Sequence, residues 1–363
     1  MGSATKTGIW IIATGVIIAL LYLGRDILAT FAMAVFLFLI IEGFGTVINN
    51  ASRTIHIGLA RILAVLLVVG GFVGFIALMA NGLAEFGRDG ADYEEKINSL
   101  IADIYAIAHL QDAPTLTQLV FDEGGQRFFA TIANSVSGLS GDIVLILIYV
   151  AFLFTAQSMW TQKLDNIFPD SQRREAVRRI GNDARLAIET YLWTQTVISA
   201  LITLLTYISL LALGVQNALF LSALIFVLNY IPTVGSIVAA LVPPLFALVQ
   251  PAVPGWVPDV ALQDSYIYAA IVFAVVSFWQ FSIGNFIQPR MMGDSLNLSA
   301  LVVLLALAIW GVIWGIPGMF LSAPLTVLMM ILFAQSPHTR WIAILLSADG
   351  KPKGGALEQS EAA

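Results

Sequence analysis

Residues Ser299–Phe333, SALVVLLALAIWGVIWGIPGMFLSAPLTVLMMILF, decide how this chain folds. The stretch carries no charge, yet Gly-Ile-Pro-Gly stands in its middle at 315–318 and Pro324 follows soon after. One transmembrane helix needs ~20 apolar residues, and two helices with a turn need ~40 or more. The run fits neither length, so we predict a helical hairpin with the Gly-Ile-Pro-Gly breakers at its tip.

The composition is that of a polytopic membrane protein. Hydrophobic residues make up 59% of the 363 residues and charged residues 11%, and the mean hydropathy is +0.88. Soluble domains carry ~25% charged residues, so most of this surface does not face water. The chain has no cysteine, which excludes disulfides, thiolate metal sites and a cysteine nucleophile. We predict an all-α fold of transmembrane helices.

Eight apolar segments follow one another along the chain. They cover about 8–23, 27–48, 59–80, 141–160, 191–214, 217–250, 266–288 and 299–335. Lys and Arg are densest in the connection 163–185. Basic connections stay in the cytoplasm, which predicts a multi-pass protein of the bacterial inner membrane with both termini cytoplasmic.

Charge placement also constrains the two long runs, 217–250 and 299–335. Arg290 and Arg340 belong on the cytoplasmic side, so each long run must return to the side from which it entered. Re-entrant hairpins that bend at Asn229–Ser236 and at Gly315–Gly318 satisfy this requirement. Each hairpin follows a helix, and the two halves read as inverted repeats, which are typical of secondary transporters. The alternative is two proline-kinked spans without a shared site.

We predict five parts of the chain. Residues 1–80 are scaffold helices, and 81–140 are an extracytoplasmic insert of two amphipathic helices, placed on the membrane surface or a neighbouring subunit. Residues 141–190 are a transmembrane helix and a basic cytoplasmic connection that contacts lipid headgroups. Residues 191–335 are a transport domain of two inverted repeats, 191–250 and 266–335. Residues 336–363 are a partly disordered cytoplasmic tail.

Two blocks of the sequence resemble the autoinducer-2 exporter family. They are NYIPTVGSIVAALVPP (Asn229–Pro244) and NFIQPRMMGDSLNLSALVVLLALAIWGVIWGIPGMFLSAPLTVL (Asn285–Leu328). The resemblance implies an inner-membrane exporter with a quorum-sensing furanone as founding substrate and a pentameric, elevator-like assembly. Other members resemble sodium–proton antiporters, so the resemblance implies the fold more strongly than the cargo.

Polar residues inside the apolar segments are the candidate substrate ligands. Half-helix ends at a bend expose backbone groups that suit a small polar molecule, and amides and hydroxyls would bind a neutral hydroxylated furanone. The candidates are Asn229, Pro232, Thr233, Gly235, Ser236, Gln280, Asn285, Gln288, Pro317, Gly318, Ser322 and Thr326. The same side chains could instead join helices, by hydrogen bonds worth ~0.6 kcal/mol each.

Charged residues offer fewer candidates. Asp294 and Arg290 flank Gly293 between the repeats, and we predict them as the coupling site for H+ or Na+. Glu42 is an acid inside the second segment, but Arg53 and Arg61 follow within a few turns, which favours a structural ion pair. No zinc spacing, nucleophile elbow or phosphate loop occurs in the sequence. We therefore predict no metal, no cofactor and no enzymatic activity.

Three functions remain open at this point. The first is a secondary exporter of a small polar molecule, and the second is a cation–proton antiporter, which needs a titrating carboxylate in its path. The third is a passive pore or membrane scaffold. A transporter implies a small-molecule substrate and membrane lipids as partners. We expect the protein to form a homo-oligomer, and we do not expect it to bind nucleic acid.

Overall fold

The computed structural model describes residues 3–51, 56–88, 90–107, 109, 114–115, 117–118, 143–250, 265–292 and 296–352. These residues are almost entirely helical, and the described part of the chain holds one isolated β-bridge, Leu298–Ser347, and no named strand. The predicted all-α fold is confirmed.

Thirteen α-helices lie within the described ranges. They are α1 (Ser3–Leu23), α2 (Arg25–Ala51), α3 (Ile57–Arg88), α4 (Gly90–Ile107), α5 (Ile143–Gln157), α6 (Trp160–Ile167), α7 (Ser171–Leu213), α8 (Ala218–Leu228), α9 (Val234–Val249), α10 (Ser265–Ser282), α11 (Gln288–Met292), α12 (Ala300–Ala334) and α13 (Arg340–Leu346). A π-helical turn, Ile283–Ile287, joins α10 to α11.

Five of the described helical segments are long and apolar enough to cross a bilayer, namely α2, α3, α7, α12 and the continuous stretch Tyr266–Met292. Helices α5 and α6 would make a sixth span if taken together, and they are bent by 63°. The multi-pass architecture predicted from composition is therefore confirmed.

Helix α7 is much longer than the apolar segment 191–214 that marks it in the sequence. It begins at Ser171, where the Asp170 carboxylate accepts a hydrogen bond from the Gln172 backbone N–H at 3.0 Å, as an N-terminal cap does. The basic stretch is helical because its charges pair along the helix, as in the Arg185–Glu189 contact at 2.6 Å. From Ser171 onward, the basic connection and the following span are thus one continuous helix.

The chain divides into two compact units. The α12 unit comprises Met1–Ala64, Asp142–Trp193 and Met292–Ala363, and the α8 unit comprises Val65–Gly141 and Thr194–Met291. Phe36, Leu192 and Leu321 lie in the core of the α12 unit. Ile198, Leu221 and Val272 lie in the core of the α8 unit. The five-part division predicted from the sequence stays a prediction.

Helix α12 folds back on itself at Gly315. The residue has φ 66° and ψ −141°, a conformation open to glycine and strained for other residues. Gly318 lies so close to Trp310 that a Cβ atom would overlap the Trp310 carbonyl oxygen. Eight residues of straight helix would separate the two by ~12 Å. The chain therefore reverses direction at the predicted Gly-Ile-Pro-Gly tip, and the depth of this tip in a membrane stays a prediction.

Glu42 is buried in an ion-pair network within the α12 unit. Its side chain is 4% exposed, and Arg61 Nε lies 2.9 Å from Oε1, although without the alignment of a hydrogen bond. Arg61 Nη2 donates to Oε2 at 3.2 Å, and Arg185 Nη2 lies 3.5 Å from the same oxygen. The predicted pairing of Glu42 with Arg61 is confirmed, while Arg53 lies outside the described residues.

The first amphipathic helix of the predicted insert is present as α4. Its Tyr93 is 1% exposed, packs on Phe246 of α9 and donates a hydrogen bond to Gln216 Oε1 at 2.9 Å. Part of this face is therefore covered within the same chain. The second predicted amphipathic helix, around 128–136, and the end of the tail lie outside the described residues.

Candidate functional site

The bend between α8 and α9 is the first of the two predicted substrate-binding bends. It turns over Asn229–Thr233, and the Val234 N–H donates to the Pro232 carbonyl at 2.6 Å. Thr233 has φ 62° and ψ −59°, the strained form of a three-residue γ-turn. A Cβ atom on Gly235 would overlap the Leu228 carbonyl oxygen, so glycine is needed for α9 to pack this closely against α8.

Four amide side chains meet beside this bend, and we call them the amide cluster: Gln195, Asn229, Gln280 and Gln288. Gln195 Nε2 donates to the Asn229 carbonyl oxygen at 2.6 Å. Gln280 Nε2 donates to Asn229 Oδ1 at 3.2 Å, and Gln288 Nε2 donates to Gln195 Oε1 at 3.4 Å. The cluster joins α7, the α8–α9 bend and the α10–α11 segment, and its four residues all belong to the α8 unit.

Two members of the amide cluster are buried, the other two are half-buried, and one buried amide nitrogen is unsatisfied. Gln195 is 4% exposed and Asn229 is 9% exposed. Asn229 Nδ2 is inaccessible and has no hydrogen-bond partner. An unpaired buried polar group costs about 1–3 kcal/mol, which a ligand carbonyl or hydroxyl oxygen at this point would recover. The cluster therefore has the chemistry of a binding site for a neutral polar molecule.

The π-helical turn explains how Gln280 and Gln288 reach the same cluster. In an uninterrupted α-helix, residues eight apart point about 80° away from each other. A π-helical turn absorbs one extra residue, and such turns are frequent at functional sites. With Ile283–Ile287 in this form, the side chains of Gln280 and Gln288 point in directions only about 20° apart around the helix axis.

A second polar contact stands next to the amide cluster. The Tyr230 hydroxyl lies 2.6 Å from Thr196 Oγ1, and either oxygen can donate. Ser199 Oγ is 3.5 Å from Gln195 Nε2 and is fully buried. These hydroxyls extend the polar surface along α7, where they add donors and acceptors for a hydroxylated ligand.

Other predicted ligands do not join the amide cluster. Thr233 is exposed, and its carbonyl accepts the Ser236 hydroxyl at 2.8 Å. Asn285 is exposed and donates to the Phe281 carbonyl of its own helix at 2.9 Å. Pro232 lies in the bend itself, half-buried. These residues line the outside of the α8–α9 bend or its neighbouring helix.

The candidates of the α12 hairpin belong to the α12 unit. The Ser322 hydroxyl donates to the Met319 carbonyl at 2.8 Å, and the Thr326 hydroxyl donates to the Ser322 carbonyl at 2.7 Å. Both side chains are buried and bonded within their own helix. Pro317 is half-buried beside the tip, and Gly318 provides the close approach to Trp310. Their role as substrate ligands stays a prediction.

The predicted coupling pair is described only in part. Arg290 is exposed in α11, and Asp294 lies outside the described residues. Across the part of the chain that the structure describes, no group of three or more His, Asp or Glu side chains could hold a metal ion.

Gln195 is the cluster member that sequence reasoning missed. It lies near the start of the apolar segment 191–214, whereas the predicted ligands lie near the bends or along the helix before Arg290. The available signal was its position four residues before Ser199, since residues four apart share one helix face. Two polar residues on one face of a membrane span mark a face that contacts protein or ligand rather than lipid.

Comparison of the sequence with known proteins identifies a matching family. The family model described as "AI-2E family transporter" matches residues 10–337. The AI-2 transport protein TqsA of Escherichia coli K12 is 26% identical over 333 residues, 89% of this chain and 90% of TqsA. A Haemophilus influenzae protein named "Putative transport protein" is 27% identical over 348 residues, 94% of this chain and 96% of its own. YhhT of E. coli K12, named in the same way, is 26% identical over 356 residues, 96% of this chain and 97% of YhhT.

Proposed function

The chain belongs to the AI-2E transporter family, and on this premise we propose that it exports a small, neutral, polar molecule across the bacterial inner membrane by alternating access. The observation that carries the proposal is the amide cluster, with the unpaired Asn229 Nδ2 buried among membrane helices. We propose an autoinducer-2-type furanone as the cargo.

The chemistry of the cluster supports a neutral cargo. Its four side chains are amides, which donate and accept hydrogen bonds but carry no charge. A hydroxylated furanone offers matching hydroxyl and carbonyl oxygens within one small ring. The name of the 26%-identical TqsA supports autoinducer-2 as the first candidate to test.

The arrangement of ionisable residues gives no support to a cation–proton antiporter. Among the described residues, Glu42 is the one buried carboxylate, and two arginines hold it within the α12 unit. If transport is coupled to an ion, we propose that Asp294 and Arg290 provide the coupling site, with Na+ favoured over H+.

Both helical hairpins support a mechanism based on inverted repeats. Each has a glycine packed against a carbonyl seven or eight residues earlier, Gly235 against Leu228 and Gly318 against Trp310. We propose that the hairpins are re-entrant, that residues 191–335 slide as an elevator against the scaffold, and that the chain works as a homo-oligomer. We further propose cytoplasmic termini, in line with the basic connection 163–185.

Transport by reconstituted protein tests the proposed function. Purified protein in liposomes should accumulate autoinducer-2 with saturable kinetics, because a carrier has a limited number of sites. The assay is run with and without imposed sodium and proton gradients, and with protein-free liposomes as control. Uptake at the rate of protein-free liposomes under every gradient would overturn autoinducer-2 as the cargo. Uptake that rises linearly without saturation would instead indicate a passive pore.

A further inference from the structure

A cavity of about 330 Å³ opens at the tip of the α12 hairpin, within the α12 unit and separate from the amide cluster. Its lining comes from the start of α2 and from the hairpin tip: Arg25, Asp26, Ala29, Thr30, Trp314, Gly315 and Pro317. Ligand pockets have volumes of about 300–1,000 Å³. A volume at the lower end of this range suits a single five- or six-membered ring.

The walls of the cavity contact each other in this conformation of the protein. Trp314 Nε1 donates to the Leu21 carbonyl at 3.2 Å, and its ring packs on Trp310 with centroids 5.0 Å apart. Thr30 is 6% exposed, and its hydroxyl donates to the Asp26 carbonyl at 2.7 Å. A Cβ atom built on Gly315 would have no neighbour within 4 Å. The tip is thus open beside a fixed aromatic wall.

The charged groups of the cavity remain accessible to a ligand. Arg25 Nε lies 3.5 Å from Asp26 Oδ1, and the two side chains are 52% and 91% exposed. This loose pair, formed by neighbouring residues, leaves carboxylate lone pairs and guanidinium N–H groups unused. The carboxylate can accept from ligand hydroxyls, the guanidinium can donate to ligand oxygens, and the indole offers an apolar face. This combination recognises a small hydroxylated ring.

The cavity and the basic connection lie at opposite ends of the α12 hairpin. Near the base of the hairpin, Val327 and Ile331 pack on Ala184, which ends the basic stretch of α7. The arm from Ala300 to Trp314 is about 15 residues and so about 22 Å long, and it ends at the α1–α2 turn that carries Arg25. Because basic connections stay in the cytoplasm, the cavity belongs to the outer side of the membrane.

We infer that this cavity is a second ligand site, which holds the hydroxylated cargo on the outer side of the membrane before its release. The inference rests on the proposed function, since it assigns this site to the same class of molecule. Asp26 and Arg25 bind the hydroxyl and carbonyl oxygens, and Trp314 contacts the ring.

Autoinducer-2 binding to the full chain in detergent, measured by isothermal titration calorimetry, tests the inference. The double substitution Gln195→Met and Gln280→Met removes two of the four amides and, with them, the three hydrogen bonds that join the amide cluster, so that the binding that remains reports the cavity. Adding Asp26→Asn and Arg25→Gln to this background should weaken the remaining binding at least 10-fold. The matched control adds Asp170→Asn and Arg173→Gln, because this pair is also exposed and loosely joined, at 3.8 Å. The control should leave the affinity within 2-fold.

The outcomes separate the inference from the proposed function. Unchanged affinity after the Asp26 and Arg25 substitutions would overturn the second site, because the remaining binding would then lie elsewhere. No binding left once the amide cluster is removed would also overturn the second site, and it would leave the amide cluster as the cargo site. A wild-type protein that neither binds nor transports autoinducer-2 would overturn both. Equal weakening by the control substitutions would show a general charge effect and would also overturn the second site.

Discussion

Replacing Gly318 by alanine is expected to destabilise the protein by about 3 kcal/mol, the upper end of the usual range for an overpacked position. The added methyl group would overlap the Trp310 carbonyl oxygen. This obstacle is backbone, and it cannot rotate away as the end of a side chain can. The arms of the α12 hairpin would therefore have to separate, and the buried contacts of Leu321 and Trp314 would loosen with them.

Gly311→Ala is the matched control for this substitution, because it lies in the facing arm of the same hairpin. There the new Cβ would meet Met319 Cε at 3.0 Å and Cγ at 3.1 Å, and a methionine side chain can move aside. Both substitutions gain the same ~0.5–1 kcal/mol of helix propensity, so their difference isolates the collision. Tryptophan fluorescence during SDS titration measures both stabilities. Equal stability of the two variants would contradict the folded-back geometry at Gly315.

Replacing Glu42 by leucine is expected to destabilise the protein by about 2–3 kcal/mol. Removal of one partner from a fully buried ion pair costs ~3–5 kcal/mol. The expected loss of stability for Glu42→Leu is smaller because the side chains of Arg61 and Arg185 are 40% and 41% exposed and can turn partly towards water. The substitution leaves two guanidinium groups, those of Arg61 and Arg185, and one carboxylate, that of Glu189. The network then carries a net positive charge.

Two further substitutions identify the cause of the Glu42 effect. Glu42→Gln keeps the shape of the side chain, so a loss close to that of Glu42→Leu would assign the effect to charge. Asp170→Asn breaks an exposed pair with Arg173 and is expected to cost less than ~1 kcal/mol. Thermal unfolding in detergent measures the stabilities of Glu42→Leu, Glu42→Gln and Asp170→Asn for comparison. Stability of Glu42→Leu equal to that of Asp170→Asn would show that the network does not hold α2, α3 and α7 together.

The sequence predicts the helices and their breakers well, because apolar length and Gly-Pro chemistry act locally. The hairpin tip at Gly315 and the pairing of Glu42 with Arg61 follow from residues close along the chain. Arg185, 143 residues from Glu42, could not be placed, because contacts at that separation depend on how helices pack.

The candidate site is harder to predict from sequence than the fold. Asn229, Gln280 and Gln288 stand out as polar residues in apolar segments, but Gln195 meets them from 34 and 93 residues away along the chain. The π-helical turn that aligns Gln280 with Gln288 has no sequence pattern of its own. The cavity that joins Arg25 to Gly315 likewise depends on two distant segments.

The central claim is that the amide cluster binds the transported molecule, and initial rates of autoinducer-2 uptake into liposomes test it most directly. Each lost hydrogen bond to a neutral group costs about 0.5–1.5 kcal/mol. The double variant Gln195→Met and Gln280→Met should therefore transport at least about 5-fold more slowly than the wild type at low substrate concentration. Asn285→Leu removes an exposed amide from the neighbouring helix and should keep the wild-type rate. If the double variant is folded, melts at the wild-type temperature and transports autoinducer-2 at the wild-type rate, the cluster only joins helices and the claim is wrong.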